Sequence, residues 1–126
     1  MKPMILALML AASSALASDL PSGQAVTLQE VLVDQLGEET WLRFRFIAPD
    51  ISRDGGTIDY ETAADDMAFL CEQTALPYMA EYALQGDIIV VSLADRATEF
   101  GQPDPDATQF FEAYRPVDNA CIWEPL

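Results

Sequence analysis

The sequence predicts an α+β fold: a mostly antiparallel sheet of about five to six strands, with one helical layer packed on one face. Three observations predict it. "TWLRFRFIA" alternates strictly, with Leu42, Phe44 and Phe46 on one side and Trp41, Arg43 and Arg45 on the other. "DIIVVSLA" is almost continuously apolar, which suits a central strand buried on both faces. Between them Ala64, Met67, Ala68, Cys71 and Ala75 recur at helical spacing.

The elements follow in order. Residues 1–17 read as a secretory signal peptide: Lys2 supplies the charge, "MILALMLAA" the apolar run, and Ala15 and Ala17 an A-x-A site cut before Ser18. The run is too short to span a bilayer, so no stable membrane span is expected after cleavage. Residues 18–24 read as a flexible lead-in and 25–126 as a single domain. "VTLQEVLVDQ" is the first strand, and the turn "LGEE" joins it to "TWLRFRFIA" as an antiparallel hairpin. Pro49 ends that hairpin, "DISRDGG" is a polar loop and "TIDY" a short strand.

A helix is expected to start at Thr62, with Asp65 as its capping partner. Asp65, Asp66, Glu72 and Gln73 fall off its apolar stripe. Pro77 breaks the helix, a second one restarts there, and Gly86 stops it. After "DIIVVSLA" comes a long loop, "RATEFGQPDPDA". "TQFFEAYR" and "ACIWE" then form a last hairpin about Pro116–Asn119, with Cys121 and Trp123 on the face toward the helix.

Charge and cysteine content bound the function. The chain holds 21 Asp and Glu against six Lys and Arg, for a net charge of −15. Removing Lys2 leaves five arginines and a net charge of −16. Nucleic acid and anionic lipid surfaces would repel such a chain. Export to the periplasm, or secretion, places the two cysteines in an oxidising compartment. A Cys71–Cys121 disulfide is therefore expected, worth about 4 kcal/mol through the loop it closes. Cys71 on the helix's apolar stripe favours a staple over a reactive thiol.

The stretches "DMAFLCEQTALPYMAEYA", "EFGQPDPDATQFFEAYR" and "CIWEP" resemble a small family of exported alphaproteobacterial proteins catalogued as a domain of unknown function. The resemblance spans nearly the whole chain after the leader. It implies export and one compact domain, and carries no activity, ligand or catalytic residue. Some relatives bear an automated acetolactate synthase label. That chemistry needs a far longer chain with diphosphate- and metal-binding segments, so the label does not transfer.

Catalytic options are few. The chain has no histidine, which removes Ser-His-Asp and Cys-His chemistry and the commonest zinc ligand. A carboxylate-only hydrolase remains formally open through Asp65, Asp66, Glu99 and Glu112. "DISRDGGTIDYE" matches the spacing of a calcium loop, with Asp50, Ser52 and Asp54 as ligands, Gly55 at the turn and Glu61 at the twelfth position. Its context departs from that template, because a strand and Pro49 precede it and Thr57 stands at the apolar position. The bland reading is an acidic glycine turn. Trp41, Arg43 and Arg45 form a candidate partner-binding patch, or else a strand face whose arginines pair with acids such as Glu30 or Asp34. The reading that fits best is a non-enzymatic domain binding a protein or envelope component. No cofactor is expected apart from the calcium option.

Overall fold

The computed structural model describes residues 5–8, 16–17 and 19–126, with side chains from residue 19 onward. The rest of the expected leader, including the cut site at Ser18, lies outside the described residues. Among the described residues seven strands form one sheet: β1 (Ile5–Leu8), β2 (Leu16–Ala17), β3 (Val26–Leu36), β4 (Glu39–Ile47), β5 (Ile88–Ala94), β6 (Gln109–Val117) and β7 (Ala120–Glu124). Their order is β1-β3-β4-β5-β6-β7, with β2 also pairing with β3. Every pair is antiparallel except β4–β5. That pair is parallel because the helix follows β4 and carries the chain back before β5 starts, a strand–helix–strand crossover.

The two expected hairpins are present. β3 and β4 meet at Gly37-Glu38, where Gly37 has φ +64°. β6 and β7 meet at Asp118-Asn119, both with positive φ, the geometry of a tight hairpin turn that Asp and Asn tolerate well.

The helical layer starts earlier than expected. Asp59, not Thr62, is the N-cap. Its carboxylate accepts from the Thr62 N–H at 2.9 Å, and that bond holds its pKa below the usual carboxylate range. The helix therefore begins at Tyr60, and "TIDY" forms no strand. The interruption expected near Pro77 is present, with Pro77 in the first turn of the second helix, but the rod stays continuous through it. α1 (Tyr60–Leu70) passes through a π-helical turn (Cys71–Ala75) into α2 (Leu76–Glu81). Pro77 lacks an N–H and its ring would press on the carbonyl four residues back. The wider turn just before it bonds the Leu76 N–H to Cys71 O, five residues back, and so accommodates the proline. Among the described residues no helix is long and apolar enough to cross a membrane.

The core lies between this rod and one sheet face. Leu42, Phe44 and Phe46 of β4 and Ile89, Val91 and Leu93 of β5 meet Met67, Leu70 and Ala75. Tyr78 stands edge-on to Phe44, with ring centroids 5.5 Å apart. Cys71 and Cys121 are joined, with Cα atoms 6.2 Å apart, and the Cys121 N–H donates to the Glu72 carboxylate at 3.0 Å. Trp123 shares the face of Cys121 and lies opposite Tyr114. It reaches past the rod, however, and is 61 % exposed, with its indole N–H on Glu112.

Two further expectations change. Asp66 is fully buried rather than off the packed side, while Ala68 is exposed. The lead-in segment is tied down rather than trailing: Leu20 enters the core, and Ser22 and Gln24 bond to Asp66.

Candidate binding face

The sheet face away from the helix carries the Trp41, Arg43 and Arg45 stripe. The strict alternation of β4 puts Leu42, Phe44 and Phe46 in the core, so the three intervening side chains must point outward. Pairing extends the face sideways. Ile88, Val90 and Ser92 of β5 stand beside Trp41, Arg43 and Arg45 in register. Ala113 and Phe111 of β6 stand beside Val90 and Ser92. Ile88, Val90 and Ala113 form a small second apolar cluster with Trp41 packed against it.

Both arginines are ion-paired across to β3. Arg43 Nη2 lies 3.2 Å from Asp34, and Arg45 Nη1 bonds Glu30. The pairing predicted for an ordinary strand face is therefore present. Arg43 Nε and Asp34 Oδ1 lack hydrogen-bond partners among the described residues. They are the two remaining atoms of a fork of which only the Nη2–Oδ2 contact is made. With each cation matched by an anion, the face is amphipathic rather than basic.

The loop between β5 and β6 lies across this face. Its base is closed by two bonds: Asp95 N–H to Thr108 O and Thr108 N–H to Asp95 Oδ1, each 3.0 Å. Desolvation opposes ionisation of Asp95, but hydrogen bonds from Arg96, the Thr108 N–H and Ser52 outweigh it and hold its pKa below the usual range. Thr98 anchors the middle. Its hydroxyl accepts from Arg45 at 2.7 Å and from Gln109 at 3.2 Å, and its carbonyl accepts from Gln29 at 2.8 Å. Phe100 then covers both guanidinium groups, its ring centroid 5.3 Å from Arg43 and 5.5 Å from Arg45, while Arg43 also lies 5.4 Å from the Trp41 ring.

The result is a groove of about 390 Å³ beside Phe100, with a floor of Arg43, Arg45 and Val90 and walls that include Phe111 and Leu126. A second recess of about 420 Å³ lies on the other side of Phe100, against Gln29 and Leu32. The groove has the size of a small-ligand or side-chain pocket and the usual mix of apolar wall and a few fixed polar groups.

The other candidates are not brought together. Asp66 is buried under α1, Asp65 is exposed beside it, Glu99 lines the outer groove, and Glu112 lies on the helix side bonded to Trp123. These four carboxylates form no facing pair. In the Asp50–Glu61 stretch a 3₁₀ turn (Pro49–Ile51) stands where a calcium loop has its entering helix. The loop closes on its own backbone: Asp50 O accepts from the Thr57 and Ile58 N–H groups, and Ser52 O from Gly56. A Cβ at Gly56 would fall 2.1 Å from Ser52 O, so this position admits only glycine. Glu61 is carried away into the first turn of α1. Asp50, Ser52, Asp54 and Glu61 are not gathered into one site, and no three acids, cysteines or histidines cluster around a metal position among the described residues.

Phe100, Thr98 and Phe111 belong to the face and escaped the sequence reading. One signal for Phe111 was available. Adjacent phenylalanines on a strand must point to opposite faces, so one of Phe110 and Phe111 had to leave the core. Phe110 packs inward against Tyr60, and Phe111 is 57 % exposed.

The model of a family described as a family of unknown function (DUF6497) matches residues 5–126. No curated protein and no solved structure matches the chain.

Proposed function

The chain belongs to this family of unknown function (DUF6497), a membership that brings no activity with it, and we propose that the protein is a non-enzymatic binding domain of the periplasm or the secreted space. It recognises a protein or envelope component through the outer sheet face. The observation that carries this reading is the groove itself: a rigid strand floor of ion-paired arginines, stacked under Phe100 and flanked by exposed Phe111. Phenylalanine and arginine are both enriched at protein interfaces, and arginine also at their hot spots. The N-terminal charge, apolar run and A-x-A site support export. The lack of histidine and the dispersal of the acids support binding over catalysis.

The test compares residues 18–126 as wild type, Phe111→Ser and Trp123→Ser in pull-downs from periplasmic extract. Trp123 serves as the control because it is equally exposed but lies on the helix side. A species captured by wild type and Trp123→Ser, and lost with Phe111→Ser, supports the outer face. Equal capture by all three proteins removes it.

A further inference from the structure

β3 is the longest strand, with eleven residues, and only one of its edges is held by a core strand, β4. The other edge is filled from the N-terminus. Ile5–Leu8 pair antiparallel with Val31–Asp34, Ile5 opposite Asp34 and Leu8 opposite Val31, and Leu16–Ala17 pair with Val26–Thr27. These are the residues that the A-x-A site would remove. The inference rests on that export reading: once the leader is cut, the outer edge of β3 keeps its backbone donors and acceptors and loses their partners.

Natural sheets guard such an edge with proline, lysine, short length, bulges or inward charges. Val26–Leu36 contains no proline and no lysine. Its one register shift, between Leu28 and Glu30, lies before Val31–Asp34. Its acids, Glu30 and Asp34, are already matched by Arg45 and Arg43. Nor can the edge retreat, because β3 is fixed by its ladder to β4 and by Val31 in the core.

We propose that in the mature protein this edge accepts a strand: an extended, uncharged, apolar segment of a partner protein, added antiparallel where Ile5–Leu8 sit in the precursor. The register seen along Val31–Asp34 shows that the edge takes a strand of that kind, here the uncharged "ILAL". Charge argues against a second copy of the chain as the occupant. The mature protein carries 21 acids against five arginines, a net charge of −16, and two such surfaces repel. An apolar segment meets no such barrier, and main-chain hydrogen bonds hold it in place.

The experiment uses the exported, processed protein, with its N-terminus read by mass spectrometry. The probe is a peptide carrying Ile-Leu-Ala-Leu between paired lysines, and amide exchange of Val31–Asp34 is followed by NMR. Amides pointing away from β4 should exchange fast in the free protein and slow by about tenfold or more with the peptide. The same peptide N-methylated at alternate residues, which cannot donate, should give no protection. Absence of protection, or equal protection by the methylated peptide, overturns the proposal. So does a free protein that sediments as a dimer with these amides already protected, since the occupant is then a second copy. An exported chain that retains Ile5–Leu8 overturns the proposal by a different route, because the export reading itself fails and the edge stays filled in cis.

Discussion

Asp66 sits fully buried on α1 and accepts three hydrogen bonds: from the Ser22 N–H at 3.0 Å, the Ser22 hydroxyl at 2.5 Å and the Gln24 amide at 2.7 Å. No arginine reaches it among the described residues. A buried carboxylate without a cation is costly unless its lone pairs are satisfied, so these donors decide whether the position holds an asset or a liability. They also explain why residues 19–24 are ordered against the helix: the acid on one element needs the donors on the other. Asp66→Ala should strand all three donors and destabilise the protein by about 3 kcal/mol, measured as a lower urea midpoint at unchanged slope. Asp66→Asn keeps one acceptor oxygen and should cost roughly half as much. An Ala variant within about 0.5 kcal/mol of wild type would show that water replaces the acid without penalty. Helical periodicity placed Asp66 off the buried stripe. Periodicity sorts residues by polarity, and it cannot anticipate a distant Ser-x-Gln segment folding back to make an aspartate a good core residue.

At the scale of elements, the strands were easier to read than the helix. Alternation in β4 and apolarity in β5 are local signals, and each fixed a face without help from the rest of the chain. The turn residues Gly37 and Asp118-Asn119 likewise announced both hairpins. Pro77 marked a real interruption but not its form, because a proline's conflict with the preceding turn is absorbed here by one wide turn and the rod continues. That wide turn begins at Cys71, where the disulfide crosses to Cys121 on β7. β7 has only five residues, pairs on one side only among the described residues and leaves Ile122 and Trp123 exposed. Beyond its ladder to β6, the covalent link and the Glu72 bond tie it to the helical layer. The sequence separation of 50 residues predicts that reduction costs about 4 kcal/mol through restored chain entropy. Urea unfolding with and without reductant should show this difference, and in the reduced protein the β7 amides should lose exchange protection first. A difference below about 1 kcal/mol would mean that β6 alone holds the edge strand.

For the molecule as a whole, the sequence shows the class of fold and conceals its assembly. Nothing local marks β4 and β5 as parallel neighbours, because that follows from where the helix returns the chain. Nothing marks the loop after β5 as the cover of the outer face, because Thr98 and Phe100 find their partners on strands far away in sequence. Net charge, by contrast, is fully legible and has a global consequence. Arg43, Arg45, Arg96 and Arg115 are already in ion pairs, and the Arg53 guanidinium is bonded to the Ala107 and Pro105 carbonyls. Most of the 21 acids therefore have no cation to offset them. At about 10 mM salt the screening length is about 30 Å, so these acids repel one another across the domain; at about 150 mM it falls to about 8 Å. Folding concentrates the charge and unfolding disperses it, so screening should favour the folded state. Calorimetry of residues 18–126 at pH 7 should show Tm rising by about 5 °C over that range of sodium chloride, the effect of about 1 kcal/mol on a domain of this size. The surface ion pairs act in the opposite direction, because salt weakens them, but exposed pairs are worth little each. A Tm that falls with salt would mean that the arginine pairs on the outer face outweigh the repulsion of all the remaining acids.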